Sequence, residues 1–282
     1  MFLLEPAQTS FDLRWRMFSI PIRVHPMFWL VSAILGWNAI NLGLSYVVLW
    51  IACVFVSVLI HELGHVSMGL FFGSRGHVVL YSFGGLAIGS SNLRSRWQRI
   101  AVYLAGPLAG FLFLGVLYLV LRIIYPLRGE AFLTEIGSIF GIRGSIPPEF
   151  RVTNLTNEAL WDLIVINLFW GFMNLLPVYP LDGGQVSREA FNWFMRGQGL
   201  RAALGLSMFV AGLIAINALL ANAGRPLPVV GQYLPGGLYI ALLFGLLALS
   251  NFQEMQQVKA FTRTWDYERR DPWERDPDYW KK

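Results

Sequence analysis

Residues 47–72 read VVLWIACVFVSVLIHELGHVSMGLFF. A helix needs about 20 apolar residues to cross a bilayer core, and this run is longer, yet it encloses His61, Glu62 and His65. Unpartnered polar groups cost several kcal/mol in hydrocarbon, so these three are expected to face protein and to have a use. On a helix, positions i and i+4 lie about 40° apart around the axis, so His61 and His65 can reach one ion. Glu62 stands about 100° from His61 and can address a water on that ion without ligating it. Neutral imidazole suits zinc, and two such ligands leave room for a third protein ligand and a water. The H-E-x-x-H motif does not decide this alone, because two satisfied core histidines with a Glu at a helix end would read the same way.

The rest of the chain agrees with a membrane setting. Of 282 residues, 55% are hydrophobic and 14% charged, against about 25% charged in a soluble domain. Cys53 is the only cysteine, which excludes a disulfide scaffold, and 15% aromatic content excludes disorder. Continuous apolar runs exclude a barrel. The fold class expected is an all-α polytopic membrane protein of about six transmembrane segments: Pro26–Leu44, Val47–Phe72, Trp97–Ile124, Leu160–Val178, Leu200–Ala221 and Gly237–Phe252. Gly76–Ser91 reads as a small β-hairpin around Gly84-Gly85. The charged N-terminal residues that follow Leu4 do not read as a signal peptide. The loop 125–157, with Pro147-Pro148, reads as an external connection without its own domain, and the tail from Asn251 as a mobile or interfacial segment.

The net charge of +5 does not imply nucleic acid, since the basic residues lie in short loops between apolar runs. Six crossings with the N-terminus inside place seventeen of the 22 Lys and Arg residues on the cytoplasmic side. Arg122, Arg128, Arg143, Arg151 and Arg225 fall on the other. By the positive-inside rule both ends are cytoplasmic.

A second polar constellation is Asn174-Leu-Leu-Pro177-Val-Tyr-Pro180-Leu181-Asp182-Gly183-Gly184. Its prolines break the helical ladder and its glycines permit unusual backbone angles. Unwound backbone at membrane depth is tolerated where it is buried in protein or lines a polar cavity. Asp182 is the candidate third metal ligand; a plain helix end with an Asp-Gly turn is the other reading. The topology puts the H-E-x-x-H motif and Asp182 at the same, cytoplasmic, side.

Together the two motifs, HELGH at His61–His65 and N-x-x-P-x-x-P-L-D-G at Asn174–Gly183, resemble the site-2 protease family of intramembrane zinc metalloproteases. Ile20-Pro21-Ile22-Arg23-Val24-His25-Pro26, Phe83-Gly84-Gly85 and Ala105-Gly106-Pro107 add to the likeness, which is greatest for the compact, sporulation-protease-like branch without PDZ or CBS domain. The resemblance implies a three-helix core holding one catalytic Zn2+ through His61, His65 and Asp182. Glu62 would be the general base, and Asn174 would position the substrate or stabilise charge at its carbonyl. It implies a protease domain over 1–252, with core motifs over about 18–186, and a charged cytoplasmic tail over 253–282. Many members carry Asn three residues after the Gly-Pro pair; here that position is Gly110, which is assigned no role. His25 and His77 are read as structural.

The expected reaction is hydrolysis of a peptide bond in or near the transmembrane segment of a single-span membrane protein, within a bacterial inner membrane. A helical substrate must unwind before attack, and the hairpin is expected to hold the unwound strand by β-addition. In a free two-stranded hairpin the Val79 and Leu80 N–H groups would face opposite edges. The competing class is a metal-binding scaffold or transporter, which would not need Glu62 between the histidines. The charge distribution makes the first prediction. Reporter fusions at both ends and in the Arg94–Arg99 loop should all read cytoplasmic, and an external signal from that loop would overturn the topology.

Overall fold

The computed structural model describes residues 5–82, 84–139, 153–195, 198–227 and 237–269. Phe83, Pro147-Pro148 and the tail residues 270–282 lie outside the described residues. The chain divides into two compact units, residues 2–175 and 176–282. The first contains β1 (Leu13–Met17), β2 (Ile20–Val24), α1 (Pro26–Leu35), a 3-10 turn (Trp37–Asn41), α2 (Leu44–Phe71), β3 (His77–Tyr81), β4 (Gly84–Ile88), α3 (Arg96–Ile124), α4 (Pro126–Ile139) and α5 (Leu155–Leu175). The second contains α6 (Asp182–Phe194), α7 (Gly199–Asn222) and α8 (Leu238–Arg269).

Among the described residues, four helices are long and apolar enough to cross a membrane: α2, α3, α7 and residues Leu238–Ala260 of α8. On α3 the exposed residues Leu108, Leu112, Val116, Leu119 and Ile123 recur at helical spacing. Such an uncovered apolar stripe is what lipid, and not water, would solvate. The chain is an integral membrane protein. The other two expected segments have a different form. Pro26–Leu44 holds a ten-residue helix and a 3-10 turn, too short at 1.5 Å per residue to span the core as one helix. The 21-residue α5 is lowered in apolarity by Glu158, Asp162, Asn167 and Asn174.

Two further segments depart from the sequence reading. The stretch 125–157, expected to be a loop, contains α4, whose Phe132 is buried with Leu114 of α3 and Ile164 of α5. The first residues of the tail are helical, since α8 runs without a break to Arg269.

The expected hairpin is half of a four-stranded sheet in the order β1-β2-β3-β4. β1 and β2 form an antiparallel hairpin whose two-residue turn, Phe18 and Ser19, has positive φ at both positions. β2 then runs parallel to β3, with Ile22 opposite Val78 and Val24 opposite Leu80. This pairing brings the entry to α1 and the exit from α2 to the same place. Arg23 of β2 is buried, and its guanidinium donates to Asp12 at 3.1 Å, to Glu5 at 2.8 Å and to the Pro6 carbonyl at 2.9 Å. Burial alone would raise the Asp12 carboxyl, but hydrogen bonds from Thr9 and the Arg23 charge hold it well below the usual carboxylate range.

The sheet packs on α2. Ile22 and Val24 of β2 and Val78 and Leu80 of β3 share one core with Val58, Leu59 and Val66. Val78, Val79, Leu80 and Tyr81 are all buried, so both faces of β3 are covered.

The ladder also fixes where each edge faces. The His25 N–H donates to the Leu80 carbonyl at 2.9 Å, which turns the Leu80 backbone toward β2. Neighbouring strand residues face opposite ways, so Val79 and Tyr81 face β4, and their partners Leu86 and Gly84 face back. Val79 and Leu80, expected to serve the two edges of a free hairpin, are therefore both inside the sheet. The outer edge of β4 carries the N–H and C=O groups of Gly85 and Ala87.

Candidate metal centre

The motif on α2 sits inside the first unit, with His61, Glu62 and His65 each 5% exposed or less. The His65 Nδ1–H donates to the Val102 carbonyl of α3 at 2.7 Å. A carbonyl can only accept, so the proton is on Nδ1 and Nε2 carries the lone pair. That Nε2 lies 3.2 Å from Nε2 of His61. Two nitrogens at about 2.05 Å from one tetrahedral ion stand about 3.3 Å apart, so the imidazole pair has a metal-chelating spacing.

Glycines make this possible. A methyl on Gly106 of α3 would run into the His65 ring and come within 2.8 Å of His61 Nε2. One on Gly64 would run into the Ala105 carbonyl, so α2 and α3 approach backbone to backbone beside the histidines. Pro107 follows in α3, and its missing N–H leaves the Tyr103 carbonyl without its usual helical donor.

The sheet meets the same side chains from the other direction. A Cβ on Gly85 of β4 would occupy the space of the Glu62 carboxyl group. The outward-facing backbone of β4 thus begins next to Glu62. Tyr81 lies nearby: burial, with the Glu62 charge adding to it, pushes its phenol up to about 12, so it stays protonated. Gly84 has φ of 114°, and a Cβ there would stand 2.6 Å from the indole of Trp170 on α5. That ring meets the His61 ring edge-on, with centroids 6.5 Å apart.

On α5, Asn167 donates to Ser57 Oγ of α2 at 2.8 Å, one helical turn before His61. Asn174 is also mostly buried, and its amide donates to the Trp170 carbonyl at 2.9 Å. The first unit thus holds His61, Glu62 and His65 on α2 and Asn174 on α5, one turn beyond the Trp170 whose ring meets His61. His25 caps α1, accepting from the Met27 N–H at 3.2 Å, and His77 lies 3.7 Å from Glu5. Both have structural surroundings.

Asp182 belongs to the second unit, where it is the first residue of α6. The expected break is present, since α5 ends at Leu175 and no helix resumes until Asp182. The intervening loop is held within its unit: the Tyr179 N–H donates to Ser207 Oγ at 2.9 Å, and Asn251 donates to the Tyr179 carbonyl at 2.6 Å. A Cβ on Gly184 would run into the Val178–Tyr179 backbone, so α6 starts directly against this loop. Chemically, His61, His65 and Asp182 offer two imidazole nitrogens and one carboxylate oxygen. Such a set fits zinc and leaves a fourth position open.

Peptidase family M50 matches residues 49–218, a stretch that contains both motifs. The chain belongs to this family. Among its relatives is a zinc metalloprotease of Methanocaldococcus jannaschii, 26% identical over 215 residues, which are 73% of this chain and 55% of that protein. Another is stage IV sporulation protein FB of Bacillus subtilis, 28% identical over 176 residues, 61% of this chain and 48% of that one. The chain spans about half the length of these curated relatives. The solved site-2 protease from Methanocaldococcus jannaschii aligns with a TM-score of 0.54 over 87% of this chain and 95% of its own. At 20% identity that likeness concerns the fold.

Within this M50 member, the sequence motifs pointed to His61, Glu62 and His65 but not to the groups that hold them. Gly106 was visible only as part of Ala105-Gly106-Pro107, and the Val102 carbonyl, Tyr81 and Trp170 carried no signal. Gly106→Ala should therefore cut bound zinc several-fold, measured by mass spectrometry of the purified protein. Gly115→Ala, at an open position of the same helix, should leave zinc unchanged. Full zinc in Gly106→Ala would show that the two imidazoles do not form the site.

Proposed function

We propose that this chain is an intramembrane zinc metalloprotease that hydrolyses a peptide bond in or near the transmembrane segment of a single-span membrane protein. The observation that carries the reading is the pair of imidazole Nε2 atoms 3.2 Å apart, with Glu62 beside them and the open edge of β4 beginning at Glu62. A scaffold needs the first of these and neither of the others. Kinship with peptidase family M50 and with proteins named zinc metalloproteases points the same way.

In this reading His61, His65 and Asp182 hold one zinc ion. When bound, zinc lowers the pKa of a water toward about 7 and polarises the scissile carbonyl. Glu62 takes a proton from water and returns it to the leaving amine. Asn174 orients the substrate near its carbonyl. Substrate is presented as an extended strand, because a helix shields its own carbonyls and a hydrolysable bond must first be unwound. The Gly85 N–H and C=O and the Ala87 N–H pair with that strand, while the Ala87 carbonyl accepts from Ser90 Oγ at 2.8 Å. Gly85 lets β4 itself lie against the Glu62 carboxyl, which no side chain at that position would allow, and so sets the pairing edge beside Glu62. The enzyme crosses a bacterial inner membrane with both termini and the charged residues from 253 onward in the cytoplasm, and α1 and α5 are embedded with the four longer helices. Residues 1–252 form the catalytic domain.

Two variant sets test this. Glu62→Gln should abolish cleavage of a transmembrane peptide while zinc content stays normal. Asp182→Ala should lose zinc as His65→Ala does. Cleavage by Glu62→Gln at the wild-type rate would favour the metal-binding scaffold or transporter, and full zinc in Asp182→Ala would remove that residue from the ligand set. The β4 edge has its own test. Ala87→Pro removes an outward N–H and spares the β3 ladder. It should slow cleavage of a helical substrate several-fold and affect a short extended peptide less, with zinc unchanged. Equal rates for wild type and Ala87→Pro on the helical substrate would exclude strand addition at β4.

A further inference from the structure

The indole N–H of Trp170 is buried and, among the described residues, has no hydrogen-bond partner. A buried donor without an acceptor destabilises a folded chain, and native structures keep few of them. This one is held in a fixed place by three contacts. Its ring meets His61 edge-on. Its carbonyl takes the amide of Asn174 one turn further along α5. Its Cζ2–Cη2 edge lies against Gly84, with Cε2, the carbon bonded to Nε1, 3.9 Å from where a Gly84 side chain would begin. The benzo edge of the ring therefore faces the start of β4, and Nε1 is two bonds from Cζ2, beside the residue that precedes the outward-facing backbone of Gly85.

We infer that Trp170 is a substrate-binding residue whose indole N–H donates to a backbone carbonyl of the extended peptide at the metal centre. The inference rests on the protease reading above and adds a donor to it. Three features select a peptide carbonyl as the acceptor. The donor is a single N–H on a rigid ring, which suits one fixed acceptor. The neighbouring strand edge pairs with main chain, whose carbonyls recur along its length whatever the sequence. Finally, glycines at 84 and 85 let the indole and the Glu62 carboxyl pack directly against the β4 backbone, so both groups lie beside any main chain that pairs there. A carbonyl bound here is held between the zinc-site histidine and the strand edge, which fixes the peptide's register and not the chemistry at the metal.

The test separates peptide binding from metal binding. Purified zinc-loaded protein in detergent is titrated with acetohydroxamate, which chelates the metal and carries no peptide, and with a tripeptidyl hydroxamate, which chelates in the same way and adds backbone carbonyls. Two changes at position 170 are compared with wild type. Trp170→Phe keeps an aromatic ring against His61, and 3-benzothienylalanine keeps the whole ring shape with sulfur in place of N–H. Loss of one buried hydrogen bond weakens binding by about 5–10-fold. Both changes should weaken the tripeptidyl hydroxamate by that factor, with zinc content and acetohydroxamate affinity unchanged. Unchanged affinity for both compounds in the benzothienyl protein would overturn the inference and leave Trp170 a packing residue. An equal loss for both compounds would overturn it too, by assigning Trp170 to the metal site. A wild-type protein that bound zinc and acetohydroxamate but not the peptide compound would refute strand presentation alone. One that bound no zinc would refute the metalloprotease reading itself.

Discussion

Hydrocarbon cannot solvate an imidazole or a carboxylate, and the arrangement around α2 follows from that. Each polar group placed at membrane depth must be met by protein, and the meeting fixes geometry. The His65 N–H is met by the Val102 carbonyl of α3, which sets the tautomer and aims the other ring nitrogen at His61. The contact requires α3 to lie close to α2. That closeness is possible only where Gly64 and Gly106 remove side chains from the interface. The same demand explains the Asn167–Ser57 hydrogen bond one turn away, which fixes α5, and with it Asn174, against the helix that carries the motif.

The sheet adds a second constraint, because it sets a β-strand edge beside the Glu62 carboxyl. β3 is paired on both sides and buried on both faces, so it is a support and not a binding edge. β4 is held by β3 along one side and leaves Gly85 and Ala87 directed outward. Because Gly85 touches Glu62, the open edge and the candidate base are neighbours by construction. β1, β2 and the Arg23 cluster at the far side anchor the sheet to residues before α1, which gives the edge strand a rigid backing.

Some of this was legible in the residues. Leu13-Arg14-Trp15-Arg16-Met17 alternates apolar and basic side chains as an outer strand does, but charge counting absorbed those arginines as membrane-side markers. The run His77–Tyr81 does not alternate, because both of its faces are covered, and a strand buried on both faces has no period to detect. α4 was hidden in a stretch whose charges suggested a loop, while its helix is secured by the burial of Phe132 against α3 and α5.

What the sequence determined by itself is whatever depends on local geometry or on composition: the membrane class, the helix through residues 44–71, the facing of His61 and His65, and the break before Asp182. A helix fixes i and i+4 on one face, and proline removes a hydrogen bond wherever it stands, so neither needs a partner to be foreseen. Tertiary structure decided the rest. β2 pairs with β3 across the whole of α1 and α2, Val102 reaches His65 from another helix, and Gly106 matters because of a ring that is distant in the chain. These are contacts between segments far apart in sequence, set by how the helices and the sheet pack. Nothing in a residue's own neighbourhood encodes which backbone will arrive beside it.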